Sequence, residues 1–220
     1  MNINTTTDET LLRQQLIDYA LKLNSSGLSV GKSGNLSVRS QQGVLITPTG
    51  MAYEQLTVDD IVLLHPDGQL ATQQQRLPSS EWHFHCGIYQ ARPDINAVVH
   101  AHANYCTALA CTGRHIPAFH YMVAIAGGNT IPLAPYALFG TEELSAHAIH
   151  ALRNRQACLL ANHGMLAIGN NLTSAFNLAI EIETLAQQYC EALKLGDVNI
   201  LSSEQMTVVL DKFKHYGQRT

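Results

Sequence analysis

The sequence predicts an α/β protein, with a mixed, largely antiparallel sheet covered by helices on both faces. Three observations carry this. Helix-like and strand-like segments alternate with short connections. Segments 36–39 and 43–47 read as two strands joined by a polar turn, which argues against an all-parallel sheet. No repeat, low-complexity stretch or long linker divides the 220 residues, and 46% of them are hydrophobic, enough for one sizeable core in a single domain.

The elements follow in order. Asp8 can cap a helix running to about Asn24, with Leu12, Leu16, Tyr19 and Leu23 on one apolar face and Gly27 at its stop. A loop, Gly31-Lys32-Ser33-Gly34-Asn35, leads into the first two strands. Ile61–Leu64 is a further strand, and His65-Pro66-Asp67-Gly68 has turn chemistry. Ser79-Ser80-Glu81 opens a second helix, because serine is a good N-cap and glutamate suits the first turn; the helix ends before Pro93. Residues 97–102 read as a buried strand, 104–112 as a short helix ending at Gly113, and 130–135 as extended chain. Thr141 can cap a helix through about Asn154, residues 157–161 form a strand, and helices over about 173–195 and 203–215 close the chain.

Bulk chemistry excludes several functions. The formal net charge is −4 and the 13 basic residues are scattered, so nothing marks a nucleic-acid surface. An anionic small substrate must be held by local donors rather than by a global field. No segment is apolar for long enough to span a membrane, and the polar N-terminus lacks a signal-peptide pattern. Five cysteines without a CxxC pair read as free thiols in a reducing compartment, so the expectation is a cytoplasmic protein.

Eleven histidines stand out, and spacing sorts them. His100 and His102 are two apart on a strand, so both rings share one face and can reach one ion. His83 and His85 are two apart on a helix and diverge, which makes them a poor chelate and predicts one core and one surface residue. By itself the strand pair fits a satisfied core as well as a metal site. His163, in Ala161-Asn162-His163-Gly164 just past a buried strand, supplies a third imidazole, and Glu81 a carboxylate. Three imidazoles and a carboxylate suit tetrahedral zinc, although manganese, cobalt and iron accept the same donors. Three segments rich in hydroxyl and glycine residues, 33–35, 47–50 and 79–80, could offer donors to an oxyanion. Lys32 reads equally as a phosphate ligand and as a solvated side chain.

Several ordered motifs resemble the class II aldolase/adducin family over about residues 8–217. They are Gly34-Asn35-Leu36-Ser37-Val38-Arg39, Ile46-Thr47-Pro48-Thr49-Gly50, Ser79-Ser80-Glu81, His100-Ala101-His102 and Asn162-His163-Gly164. The resemblance implies a three-layer α/β/α sandwich and a homotetramer with active sites at subunit interfaces. It implies a zinc-dependent enzyme that cleaves a ketose 1-phosphate to dihydroxyacetone phosphate and an aldehyde. It assigns His100, His102 and His163 as metal ligands, with Glu81 as a movable fourth ligand and proton carrier. It assigns phosphate contacts to Asn35, Thr49, Gly50, Ser79 and Ser80, with Lys32 standing where the family's aldolases typically have threonine. Tyr121 matches a proton donor that reaches across from a neighbouring subunit, and Tyr216 a C-terminal tyrosine that helps close the site. A second departure is Asn162, where a histidine often precedes the ligand. The alternatives within the family are sugar-phosphate epimerases, which typically carry aspartate in place of Glu81, and related dehydratases or decarboxylases. Non-catalytic adducin-type binding modules lack the metal histidines, and this chain has all three.

Overall fold

A computed structural model of the chain describes residues 3–71 and 74–214. Among the described residues six α-helices and seven strands follow one another: α1 (Ile3–Ser25), β1 (Asn35–Arg39), β2 (Val44–Ile46), β3 (Val62–Leu64), α2 (Trp82–Ala91), β4 (Ala97–Ala101), α3 (Asn104–Cys111), β5 (Leu133–Ala134), α4 (Glu142–Ala151), β6 (Ala157–Leu160), β7 (Gly164–Gly169), α5 (Leu172–Leu195) and α6 (Ser203–Phe213). The strands form one sheet in the order β3-β2-β1-β4-β7-β6-β5. Every neighbouring pair is antiparallel except β5 with β6. The expected fold class is therefore found.

Both faces of the sheet are dry, and strand periodicity divides its side chains between two cores. Leu36, Val38, Val99, Ala101, Leu159 and Met165 face α1, α3 and α5. Ile46, Val62, Val98, Cys158, Leu166 and Ile168 face α2 and α4. Three layers result. α1 begins earlier than Asp8, and of its expected apolar face Leu16 and Leu23 are fully buried. Thr141 caps α4 as anticipated, its hydroxyl accepting from the Leu144 N–H at 3.2 Å.

Two elements differ from the sequence reading. β7 was not anticipated as a strand; it fills the centre of the sheet between β4 and β6. α2 starts at Trp82, so Glu81 rather than Ser79 occupies the N-cap position, and no side chain caps that end. The Ser79 hydroxyl instead accepts from the Glu81 N–H at 3.3 Å, and the Glu81 carboxylate turns inward. All five cysteines are free thiols. No helix among the described residues is long and apolar enough to cross a membrane.

Candidate metal centre and substrate cleft

The sheet brings four side chains to one point. His100 lies near the end of β4, on the face turned toward α2, and is fully buried. His102 follows one residue after the strand ends, His163 sits in the turn between β6 and β7, and Glu81 heads α2. His100 Nε2 is 3.1 Å from one Glu81 oxygen, and His163 Nε2 is 3.2 Å from the other. The three imidazole rings meet edge to face at 4.8–4.9 Å between centroids. One ligand atom from each of the four residues lies within 4.8 Å of the others.

Local backbone chemistry explains the convergence. Asn162 has a φ of 56°, the only positive value on a non-glycine residue among those described. Asparagine tolerates this left-handed conformation better than most side chains, which lets the turn present His163 inward. Gly164 allows β7 to approach the end of β4, since a Cβ there would collide with the Ala101 carbonyl oxygen.

Polar bookkeeping tests whether an ion fits. Glu81 Oε1, His100 Nε2 and His102 Nε2 are buried without a hydrogen-bond partner, and all three belong to the four-residue group. Orphaned buried acceptors are costly unless something satisfies them, and a cation among three imidazole nitrogens and a carboxylate oxygen does so. The donor set thus fits a metal ion.

The protonation states agree with that fit. Burial pushes His102 and His163 down to about 4, and the neighbouring His100 adds to the shift, so both rings are neutral near pH 7. Burial works to raise the Glu81 carboxyl, but His100, His163 and the Asn35 amide more than offset it, leaving it ionised. Metal ligation requires neutral imidazoles and an ionised carboxylate, the state that His102, His163 and Glu81 take up.

The group opens into a cleft of about 410 Å³, lined by all three segments that the sequence marked as anion donors. A short bridge between Pro48 and Pro78 ties segment 47–50 to segment 77–80. The bridge engages the N–H groups of Thr49 and Ser79, which donate to Leu77 and Thr47 carbonyls at 3.1 and 3.0 Å. What these two residues can give an anion is therefore their hydroxyls. Ser80, Gly50 and Ser33 also line the cleft. Lys32 reaches over its rim, donating to the Gly50 carbonyl at 2.9 Å. Tyr136 and Phe139, exposed at 60% each, add an aromatic wall that spacing arguments did not anticipate.

Not every expected residue lies in this cleft. Tyr121 is half exposed on a 3-10 segment, Tyr121–Ala126, and does not line the cleft of its own chain. Tyr216 lies outside the described residues. Asn35 does line the cleft, but its side chain is buried and bridges Glu81 and His85. His83 and His85 do not form a chelate. His85 is fully buried, as the core member of the pair should be, whereas His83 is partly buried and stacks on Trp82 at 3.7 Å rather than lying free on the surface.

Comparison with known proteins completes the assignment. Residues 14–190 match the family model described as the class II aldolase and adducin N-terminal domain. The chain belongs to that family and is a class II aldolase. It is 54% identical to the L-fuculose phosphate aldolase of Escherichia coli strain K12 over 209 residues, 94% of this chain and 96% of that protein. It is 52% identical over 206 residues to the 5-methylthioribulose-1-phosphate/5-deoxyribulose-1-phosphate aldolase of Rhodospirillum rubrum, covering 94% of this chain and 92% of that one. A solved L-fuculose 1-phosphate aldolase superposes with a TM-score of 0.88 at 43% identity, over 92% of this chain and 96% of its own.

Proposed function

We propose that this chain is a zinc-dependent aldolase that cleaves L-fuculose 1-phosphate, or a related deoxyketose 1-phosphate, to dihydroxyacetone phosphate and an aldehyde. One observation carries the reading: His102, His163 and Glu81 line the same cleft as Thr49, Ser79, Ser80 and Lys32. Metal chemistry and phosphate binding thus share one space. His100, His102, His163 and Glu81 hold the ion, and the three-nitrogen, one-oxygen set favours zinc. Bound there, it supplies Lewis-acid stabilisation for the charge that develops on the substrate carbonyl oxygen.

The chain's own residues do the rest. Thr49, Ser79, Ser80, Gly50, Asn35 and Lys32 fix the phosphate and so orient the bond to be broken. Glu81 carries a proton to the enediolate carbon in cleavage and takes it away in condensation. Its acidity rests on contacts with His100, His163 and Asn35, so swinging free of them raises its proton affinity toward that of an ordinary carboxyl. Tyr121 from a neighbouring copy protonates the aldehyde oxygen, and Tyr216 helps close the site. This arrangement requires a neighbouring copy, and the reading takes the assembly as a homotetramer with shared active sites. Five free thiols fit a cytoplasmic setting.

The relatives' names divide over the aldehyde end of the substrate. Incubation with L-fuculose 1-phosphate and with 5-deoxyribulose 1-phosphate, with and without chelator, tests the reading through coupled detection of dihydroxyacetone phosphate. Metal-dependent product from either supports it, and the ratio of kcat/KM values names the preferred substrate. No product from folded, zinc-loaded protein on either would overturn it in favour of epimerase, dehydratase or decarboxylase chemistry.

A further inference from the structure

Beneath the metal centre runs a buried chain of side chains of which the proposed chemistry uses Glu81 and Asn35 but not His85, Ser37 or Tyr89. Glu81, His85 and Tyr89 are spaced i, i+4, i+8 along α2 and share one helix face. Asn35 and Ser37 alternate on β1 and share the sheet face opposite. The two faces interlock. Asn35 Nδ2 donates to Glu81 Oε2 at 2.9 Å, and His85 Nε2 lies 2.5 Å from Asn35 Oδ1. Ser37 Oγ lies 2.6 Å from His85 Nδ1 and 2.8 Å from the Tyr89 hydroxyl.

Only one orientation satisfies the whole chain. An ionised Glu81 can only accept, so it must meet the NH2 end of the Asn35 amide. The amide oxygen then faces His85, which must carry its proton on Nε2. His85 Nδ1 is left as an acceptor, so the Ser37 hydroxyl donates to it, and the Ser37 oxygen accepts from Tyr89. All four hydrogen bonds point toward Glu81. Burial pushes His85 down to about 3, with His100 adding to the effect, and burial raises Tyr89, so both stay neutral and the polarity does not reverse. The chain cannot conduct a proton, because the Asn35 amide separates its donor from its acceptor. Its capacity is to orient.

We infer that His85 is a positioning residue, which by locking the Asn35 amide with its NH2 end toward Glu81 holds the carboxylate aimed at the imidazole cluster. A flipped amide would set oxygen against oxygen and push Glu81 away. The inference rests on Glu81 being a metal ligand, as proposed above.

The test uses the full-length protein loaded with Co2+ in place of the native ion and follows the visible absorption of the metal, its dissociation constant and kcat. Glu81→Ala is the reference for a lost carboxylate ligand. His85→Leu cannot hold the amide, and is expected to shift the Co2+ spectrum toward that of Glu81→Ala and to lower Co2+ affinity or kcat by about tenfold or more. His85→Gln presents an NH2 to the Asn35 oxygen and is expected to restore the parent spectrum and most of the lost affinity, which a merely space-filling role would not predict. Ser37→Ala removes only the hydroxyl that sets the ring tautomer and should shift the spectrum in the same direction by less. If His85→Leu does not fold, Ser37→Ala decides the matter. Parent-like spectrum and affinity in His85→Leu, or in Ser37→Ala when that variant decides, would overturn the inference. A parent-like spectrum in Glu81→Ala would instead reject Glu81 as a ligand, so the two failures are distinguishable.

Discussion

His100 is tied through Nδ1–H to the main-chain carbonyl of Met165, at 3.0 Å. A carbonyl only accepts, so the proton is fixed on Nδ1 and the Nε2 lone pair faces the other ligands. The partner that sets this tautomer belongs to the backbone of β7, and no side-chain substitution can remove it. The register that pairs Ala101 with Met165 is therefore part of the candidate metal site.

Stability should depend on pH through the buried imidazoles. Burial lowers His102 and His163 from 6.5 to about 4, and His85 from 6.5 to about 3, with His100 contributing to each. Between those values and 6.5 the unfolded chain binds more protons than the folded one, so the contribution is complete above 6.5 and is lost as pH falls through that window. Calorimetry of chelator-treated protein should show a steady Tm from pH 8 to about 7 and a decline below about 6.5. A Tm that rises on acidification would contradict the burial argument.

Gly164→Ala should damage the centre without replacing any of its side chains. The added methyl meets the Ala101 carbonyl and comes within 3.1 Å of the His102 ring. Forcing β7 away from β4 should cost about 1–3 kcal/mol in stability and weaken metal binding, read by denaturant titration and by metal competition with a chromogenic chelator. Parent-like values in both would show that the strands can part freely.

Glu81→Gln keeps the shape of the side chain and a carbonyl oxygen but removes the proposed proton carrier. Turnover should fall by about 10²–10⁴-fold while much of the metal stays bound. Metal analysis beside steady-state rates checks this, and undiminished turnover would remove Glu81 from the proton-transfer role.

Lys32 contributes charge at the rim of the cleft, where its ammonium already bonds the Gly50 carbonyl. Lys32→Thr should raise KM for the sugar phosphate several-fold and leave kcat nearly unchanged, because uniform binding is what a remote phosphate contact supplies. The difference from the parent should shrink in high salt. Identical KM values at low ionic strength would mark Lys32 as a solvated residue.

Tyr121 stands outside the cleft of its own chain. If it serves a neighbouring copy, Tyr121→Phe and Glu81→Gln subunits, each nearly inactive alone, should regain activity when unfolded together and reassembled as mixed oligomers. Random mixing gives about a quarter of the sites both intact residues. Recovery no greater than the sum of the separate proteins would place both groups in one subunit.

The four candidate metal ligands were legible because each lay beside a local signal. His100 and His102 had strand spacing, His163 followed a buried run, and Glu81 headed a helix. β7 was not legible, because glycines at both ends disguised an apolar run as a loop. Those glycines serve packing: a Cβ on Gly164 would strike β4, and one on Gly169 would crowd the start of α5 at Ala175. His83 and His85 were read as one core and one surface residue without a choice between them, and the link of His85 to the site was missed. The helical period joining Glu81, His85 and Tyr89 was present in the sequence, as was the alternation of Asn35 and Ser37. What local pattern could not supply was that these two polar stripes would face each other across 46 residues of chain.

The four candidate ligands come from three separated stretches, and the β4–β7 pairing that helps align them sets His100 against Leu166, far along the chain. A chain emerging from the ribosome therefore offers no preassembled trap for a stray cation. An ion held by these four residues would have to wait until the central strands have zipped and α2 has docked. Occupancy then reports that synthesis and collapse have finished, and each added increment of free ion makes the completed state harder to reopen.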